Sequence, residues 1–224
     1  MNFNGFSLEA IAFLKELSQN NNRQWFQKNK TIYKKYLEPA GIAFNSAIQE
    51  RLSDLFGDEF NGKIFRIYRD IRFSKDKTPY NPHIRMLFYP ANTAGCSENP
   101  CFYFSLETDR VITGAGIHQF SKLFLERFRQ AVVDDKAGNE LEKLLNRYRE
   151  KKGYYQDVPQ LKRIPPGYDK SFPRAQLLKQ KGLVVWNRQS LDEVISTPAF
   201  VDVISKKFIS IRPVFDWLIT NVFH

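Results

Sequence analysis

The segment IFRIYRDIRF, residues 64–73, is where the chain changes from helical periodicity to the two-residue alternation of a β-strand. Read as a strand, it has one apolar face made of Phe65, Ile67, Ile71 and Phe73. The opposite face carries Arg66, Tyr68, Asp70 and Arg72. The alternation puts Arg69 on the apolar face, where an unpaired charge costs several kcal/mol. We therefore expect Arg69 to have a buried carboxylate partner, or the strand to be irregular at this point.

The strand runs into a strongly basic stretch, RIYRDIRFSKDKTPY at residues 66–80, which has five basic and two acidic side chains. Guanidinium groups bind carboxylates and phosphates through paired hydrogen bonds. The pattern predicts an anion-binding surface on a sheet, in which Arg66 and Arg72 hold the anion. Tyr68 would add a hydroxyl, and Asp70 would orient a guanidinium group. The alternative is a solvated strand face covered by surface ion pairs.

The loop that follows has two lysines around Asp76 and two prolines that restrict the backbone around Tyr80. A rigid loop with lysines beside an arginine strand could clamp a phosphate, and we include Lys77 and Tyr80 as candidate ligand-binding residues. A well-made turn explains the same residues equally well. The chain has no GxxxxGK[ST] phosphate loop, so the commonest nucleotide-binding motif is not indicated.

Helix signals precede this region. Ser7 is placed to cap a first helix, and the asparagines at residues 20–22 end it and supply a cap for a second. A third helix is predicted to begin at Pro39 and to stop at Gly57. Three helices are therefore expected before the first strand.

Alternating strands and further helices follow residue 64. Strands are predicted at 64–73, 84–89, 101–106, 110–115 and 183–186, and helices at 120–133, 140–150 and 198–218. Glycines and prolines make residues 151–172 irregular. We predict an α+β fold: a single domain, 1–224, with a mainly antiparallel sheet flanked by N-terminal and C-terminal helices. Within this domain, residues 1–57 would be helical and residues 63–116 would form the sheet. Residues 119–224 would combine helices with irregular, basic segments.

The net charge of +10 is concentrated in two segments. Residues 63–90 carry a net charge of +5, residues 151–189 carry +7, and the remainder carries −2. Charge placed in this way favours an anionic partner over a simple solubility function. We expect the two segments to converge on one positive surface.

Three further positions are candidates for function. Arg23 begins a helix, where it opposes the helix dipole unless it has a partner. His118 follows the glycines of GAGIHQF, at a predicted strand-to-helix junction, and Arg174 lies on a short amphipathic helix with a basic face at 172–182. We include Arg23 and Arg174 as ligand-binding candidates. If the protein is an enzyme, weak candidates for a general base are Asp70, His118 and Tyr80.

The cysteines and histidines argue against two classes of protein. Cys96 and Cys101 are the only cysteines, and the histidines are scattered at 83, 118 and 224. Neither a disulfide scaffold nor a standard zinc site is expected, and the sequence names no metal or other cofactor. The amphipathic N-terminus does not read as a signal peptide, and no apolar run approaches the ~20 residues that span a bilayer. We therefore predict a soluble cytoplasmic protein that does not associate with membranes.

The assembled motifs resemble the family named domain of unknown function 2461, over nearly the whole chain. The signature of that family is RxxRDxRF followed by a lysine and a tyrosine. Its positions here are Arg66, Arg69, Asp70, Arg72, Phe73, Lys77 and Tyr80. The segments NNNRQWF, GAGIHQF and PPGYDKSFPRAQLLKQKG are also similar to that family. The resemblance implies one fold unit and implies no particular chemistry.

Three functions remain open from the sequence. The first is the binding of a phosphorylated or otherwise anionic small molecule, including a nucleotide, in a basic cleft edged by aromatic side chains. The second is a nucleic-acid-binding module, which the net charge and the many aromatics favour. The third is a protein-interaction or structural domain in which the arginines only stabilise the fold. The sequence does not indicate an oligomeric state.

Overall fold

Helices lie at both ends of the chain and strands lie mainly between them. The computed structural model describes residues 2–93 and 99–223. In chain order its helices and strands are α1 (Leu8–Gln19), α2 (Arg23–Ile32), α3 (Glu38–Phe56), β1 (Phe60–Ile64), β2 (Ile84–Pro90), β3 (Cys101–Leu106), β4 (Arg110–Ile117), α4 (Lys122–Val133), α5 (Asp135–Arg149), β5 (Tyr154–Tyr155), β6 (Leu183–Ser190) and α6 (Phe200–Val222). Within the described residues the strands form one antiparallel sheet in the order β1-β2-β3-β4-β6-β5. The predicted α+β class is confirmed.

The first helices begin and end where the capping residues predict. The Ser7 hydroxyl accepts a hydrogen bond from the Ala10 amide at 3.3 Å, and the Asn22 side chain accepts one from the Trp25 amide at 2.9 Å. Gly57 ends α3 with a φ of +74°, a left-handed conformation that glycine adopts without steric cost.

The join between the second and third helices differs from the prediction. A π-helical turn, Tyr33–Leu37, connects α2 directly to α3, and the Glu38 amide donates to the Tyr33 carbonyl. Pro39 follows this turn and has no amide hydrogen to donate. The chain therefore passes from one helix to the next through a change of hydrogen-bond register, without a break.

The strand predictions were right for β2, β3 and β4 and wrong for the first strand. Regular pairing of β1 covers Phe60–Ile64, before the segment predicted as a strand at 64–73. The predicted helix at 172–182 is also wrong, because only a short 3-10 turn, Leu177–Lys179, forms there. The helix predicted at 140–150 begins earlier, where the Asp134 side chain accepts a hydrogen bond from the Ala137 amide at 2.8 Å.

Two compact units share the chain, each with an aromatic core. The first comprises the described residues up to Ala91, with Tyr103–Ile112 and Gln189–Lys206. Its core centres on the buried Phe44, whose ring contacts the rings of Phe3, Phe6, Phe104 and Phe200. The predicted domain organisation remains a prediction.

The second unit comprises the described part of residues 92–102, together with Thr113–Arg188 and the described residues from Lys207 onward. In its core the ring of Phe102 stacks on Phe215, with centroids 4.9 Å apart, and contacts Phe208. Large rings bury much apolar surface for few rotatable bonds, so both cores gain stability at low entropic cost.

The predictions about membranes and metal sites can be compared with the structure within the described residues. None of the described helices is long and apolar enough to cross a bilayer. Among the same residues, no group of three or more histidine, cysteine, aspartate or glutamate side chains is arranged to hold a metal ion. Cys101 is buried in β3, whereas Cys96 and His224 lie outside the described residues.

Arg174 joins the end of α4 to the start of α5 in the second unit. Its side chain is only 5% exposed and donates to the Val132 carbonyl at 2.9 Å and to the Asn139 side chain at 2.6 Å. Carbonyl groups at the end of a helix have no intrahelical donor, so a guanidinium group there stabilises the helix end. Gly138 leaves room for this contact, because a Cβ atom there would lie 2.6 Å from Arg174 Nε.

We expect Arg174→Leu to lower the free energy of unfolding by about 2 to 4 kcal/mol, because it leaves the buried Val132 carbonyl without its donor and removes the bond to Asn139. Arg163→Ala, at an exposed arginine of the same basic segment, should change it by less than about 0.5 kcal/mol. Urea denaturation of the two variants measures the difference. Equal effects would contradict the structural role given to Arg174.

Candidate functional site

The arginine-rich segment forms the far end of a β-hairpin built on β1 and β2. Pairing runs from Phe60 opposite Pro90 to Ile64 opposite Met86. Beyond β1 the two sides of the hairpin are still hydrogen-bonded, because the Phe65 amide donates to the Arg85 carbonyl at 2.9 Å. We call residues 65–83 the hairpin tip.

The register of the hairpin changes within the tip. The Phe65 amide is hydrogen-bonded to the Arg85 carbonyl, but the next hydrogen bond across the hairpin runs from the Asn81 amide to the Ile67 carbonyl, at 2.7 Å. The first side advances by two residues between these bonds, from Phe65 to Ile67, while the second side covers four, from Arg85 to Asn81. The extra residues on the second side form a bulge around His83. A bulge bends and twists the ribbon and interrupts the ladder of hydrogen bonds.

The predicted apolar face is wrong. Ile67 is buried, with 5% of its surface exposed, but Phe65 is 42% exposed and Phe73 is 95% exposed. Alternation of faces needs a continuous ladder, and regular pairing ends at Ile64, followed within the tip by the isolated bridge between Tyr68 and Tyr80.

Arg69 has its carboxylate partner, but the partner lies at the surface. Arg69 pairs with Asp76 at 2.5 Å and also donates to the Thr78 hydroxyl. The Asp76 side chain is 58% exposed and that of Arg69 is 23% exposed, so the prediction of a buried pair is wrong. The hydrogen bond from Arg69, followed by bonds from Thr78, lowers the pKa of Asp76 to about 2. This pair fixes the turn of the tip.

Two other candidate ligand residues make contacts inside the tip. The Lys77 ammonium group donates to the Ile71 carbonyl at 3.0 Å and so crosses the turn. Arg72 pairs with Asp70 at 2.7 Å, and the side chain of Arg72 is 75% exposed. The hydrogen bond from Arg72 lowers the pKa of Asp70, which keeps this carboxylate charged and poorly suited to act as a base near neutral pH.

Tyr80 anchors the tip to the helices of the first unit. The Asn21 side chain donates to the Tyr80 carbonyl at 2.9 Å and accepts from the Tyr80 amide at 3.1 Å. The ring of Tyr80 stacks on Phe26 with centroids 4.1 Å apart, and the residue is 2% exposed. Burial raises the pKa of Tyr80. The sequence did not predict this anchor, because Asn21 lies 59 residues away.

Three arginines at or beside the tip remain exposed. Arg23, Arg66 and Arg85 have neither an ion pair nor a side-chain hydrogen bond within the described part of the chain. The Asn81 side chain bonds to the Arg66 carbonyl at 3.4 Å, and Arg23 lies two residues after the anchor Asn21. Arg85 was not among the ligand residues predicted from the sequence, although it lies within the basic segment 63–90.

Aromatic side chains accompany these charges. Tyr68 is 45% exposed, and its ring meets the ring of Phe26 edge to face at 5.7 Å. Phe73, at the end of the tip, lies with its ring centroid 5.9 Å from the Arg72 guanidinium carbon. The tip therefore presents cations and aromatic surface together.

His83, in the bulge, has a strongly perturbed pKa. Burial, followed by the positive charges of Arg85 and Arg69, lowers the pKa of His83 to about 4. Its imidazole is therefore neutral near pH 7.

The remaining candidates belong to the second unit. His118 is an exposed residue just after β4, and its carbonyl would collide with any Cβ atom at Gly182. Arg174 is buried between α4 and α5, with its guanidinium group engaged there. The convergence of segments 63–90 and 151–189 stays a prediction.

The low pKa of His83 predicts a pH-dependent stability. Because the folded-state pKa of about 4 lies below the ordinary value of 6.5, the unfolded chain takes up the proton first as the pH falls. The free energy of unfolding should therefore fall by about 1 to 2 kcal/mol between pH 7 and pH 5 through His83 alone. Urea denaturation across this range should show a shallower pH dependence for His83→Gln.

His118→Gln, which removes an exposed histidine, is the matched control and should keep the wild-type pH dependence more closely than His83→Gln. An unchanged pH dependence in His83→Gln would contradict the burial of a neutral imidazole in the bulge.

Comparison with known proteins identifies the chain at the level of its family. A search of curated proteins gave no match. The family described as conserved hypothetical protein (DUF2461) matches residues 9–217, a range that includes the whole hairpin and both basic segments. The chain therefore belongs to the DUF2461 family.

Proposed function

We propose that the hairpin tip binds a phosphate-bearing anion through Arg66, Arg85 and Arg23. The observation that carries the proposal is the presence of three exposed guanidinium groups on one ribbon and its anchor, none with an ion partner among the described residues. Like charges placed along one ribbon repel one another, and an anion removes that cost. Guanidinium groups also match phosphate oxygens in geometry.

The order of the tip supports the proposal. Arg69 and Lys77 bond across the turn, and Asn21 holds Tyr80 in place. A surface that is already ordered loses little conformational entropy when a ligand binds. These residues are therefore assigned to positioning, and Arg66, Arg85 and Arg23 to ligand contact.

Arg72 and Tyr68 would complete the site. The Arg72–Asp70 pair is exposed, so exchanging the carboxylate for a phosphate costs little. Tyr68 is a half-exposed residue of the tip whose ring contacts Phe26, and its hydroxyl is a further donor. We propose binding without assigning a reaction, and we expect it in the cytoplasm, where phosphorylated small molecules and nucleic acids are both present.

A second candidate ligand is single-stranded nucleic acid. The specific observation in its favour is Phe73, 95% exposed at the end of the tip and beside Arg72. Phe65 repeats the arrangement, with the Lys63 ammonium group 5.3 Å from its ring centroid. Single-strand binding proteins use this combination, since cations follow the backbone and bases stack on aromatic rings.

We expect pyrophosphate to raise the melting temperature of the wild-type protein, and Arg66→Ala to weaken pyrophosphate binding about tenfold or more, because a hydrogen bond to a charged group is lost. Arg163→Ala, an exposed arginine of the second unit, is the matched control and should bind as wild type does. Titration calorimetry of the three proteins measures the difference. The proposal fails if pyrophosphate does not bind, or if the two variants bind it equally.

Two additions to this experiment separate the alternatives. Arg69→Ala should lower the free energy of unfolding by about 1 kcal/mol, because the Arg69 side chain bonds to Asp76 and Thr78 within the tip. Arg66→Ala should leave the free energy of unfolding nearly unchanged. An oligothymidylate should bind more tightly than pyrophosphate only if nucleic acid is the ligand. Its affinity should then fall with salt at a log-log slope of about −0.7 per phosphate contact.

A further inference from the structure

The sheet ends at β1 in an open edge that the proposed phosphate site does not use. In the strand order β1 is the outermost strand on its side, and β2 is its neighbour within the described residues. The outer edge of such a strand presents backbone N–H and C=O groups to which another strand can be added. Which of these groups are free depends on the register of the β1–β2 pairing.

The register shows that Gly62 and Ile64 direct their backbone groups outward. Phe65 continues the register of β1, and its amide donates directly to the carbonyl of Arg85 opposite. In an antiparallel ladder such direct bonds recur at every second residue, so Lys63 also bonds towards β2. Gly62 and Ile64 therefore point their N–H and C=O groups away from β2. No other described segment donates to these groups or accepts from them.

The start of β1 is closed to an added strand. The outward amide of Phe60 donates to the Ser53 hydroxyl of α3 at 3.0 Å. Ser53 lies near the end of α3, so the helix and the strand run in opposite directions, and the beginning of α3 lies beside the end of β1. Gly41 agrees with this arrangement, because a Cβ atom there would lie 3.8 Å from the Cε atom of Met86, which pairs with Ile64.

Apolar side chains border the open end of the edge. The Asn45 and Gln49 side chains of α3 lie against the strand, since a Cβ atom at Gly62 would come within 2.8 Å of each. Ile42 lies three residues before Asn45 and so shares this side of the helix. Ile42 is 49% exposed and Ile64 is 38% exposed. The two isoleucines therefore offer apolar surface next to the free backbone groups.

The charge at the open end is positive. Lys63 is exposed, with its ammonium group 5.3 Å from the Phe65 ring centroid, and it has no ion pair among the described residues. An antiparallel strand added to β1 places one residue directly opposite Lys63, in the closer of the two kinds of cross-strand pair. An acidic side chain at that position is stabilising and a basic one is destabilising. The acidic residues Asp58 and Glu59 lie at the other, closed end of the strand.

A second copy of this chain is a poor occupant of the edge. Antiparallel pairing through the free groups of Gly62 and Ile64 in both copies sets the two Lys63 side chains directly opposite each other. Like charges in such a pair are destabilising, and lysine on an edge strand commonly prevents association of like strands. The same charge leaves an acidic strand as the compatible partner.

We propose that the open end of β1 binds an extended peptide segment in which apolar and acidic residues alternate. The segment adds a strand to the sheet through the backbone groups of Gly62 and Ile64. Its apolar side chains pack on Ile42 and Ile64, and an acidic side chain lies opposite Lys63 on the other face. In this mode of recognition the backbone bonds supply affinity, and the alternate side chains supply specificity.

The probes are two synthetic heptapeptides, one alternating valine with glutamate and the other alternating valine with lysine. We expect the glutamate peptide to bind the wild-type protein with a dissociation constant below about 1 mM. The lysine peptide should bind about tenfold more weakly or worse, because its charge meets that of Lys63. Lys63→Glu should reverse this preference. Titration calorimetry gives the constants.

Pairing through the backbone has a test of its own. Methylation of every second amide nitrogen in the glutamate peptide removes the donors along one of its edges. One of the two alternating patterns removes the donors that face β1, and it should weaken binding about tenfold or more. The other pattern should bind nearly as the unmodified peptide does. This comparison uses the wild-type protein throughout, so it does not depend on the folding of a variant.

Ile42→Ser should weaken binding of the glutamate peptide about threefold or more, because it removes apolar surface beside the edge. Leu123→Ser is the matched control, since Leu123 is an exposed leucine of the second unit, and it should bind as wild type does. The proposal is overturned if the glutamate peptide does not bind, if both methylation patterns bind equally, or if Lys63→Glu keeps the wild-type preference. A wild-type dimer that the peptide converts to monomers would show a second copy on this edge and would also overturn the proposal.

Discussion

Two hydrogen bonds between the Asn21 carboxamide and the backbone N–H and C=O of Tyr80 hold the arginine-rich hairpin against the helices of its unit. A planar amide that satisfies both the backbone donor and the backbone acceptor of one residue leaves that residue little freedom to move. The stacking of Tyr80 on Phe26 adds apolar burial at the same point. Because the far end of the hairpin is an irregular loop, the placement of its charges depends on this anchor.

The fold was predictable where local chemistry decides it. Ser7, Asn22 and Gly57 mark helix boundaries through contacts with residues three or four positions away, so the sequence displays both partners. The first strand was misplaced, because its period was read from the segment that follows β1. The bulge around His83 changes the register there, and alternation along one strand cannot show what happens on its neighbour.

The candidate sites were predictable to a lesser extent, for a similar reason. Charge clustering located the tip and its arginines, but it did not separate Arg69, which holds the turn, from Arg66, which is exposed. Arg174 was selected as basic, and its engagement with two helix ends depends on long-range packing.

The central claim is that the tip is ordered before any ligand binds, and amide hydrogen exchange in phosphate-free buffer tests it most directly. The account predicts that the amides of Arg69, Tyr80 and Asn81 exchange slowly, as those of β2 do, because each donates to the backbone or to Asn21. Asn21→Ala should speed exchange at Tyr80 while β2 stays protected. Exchange of all three amides at the rate of an unstructured peptide, with β2 protected, would contradict the account.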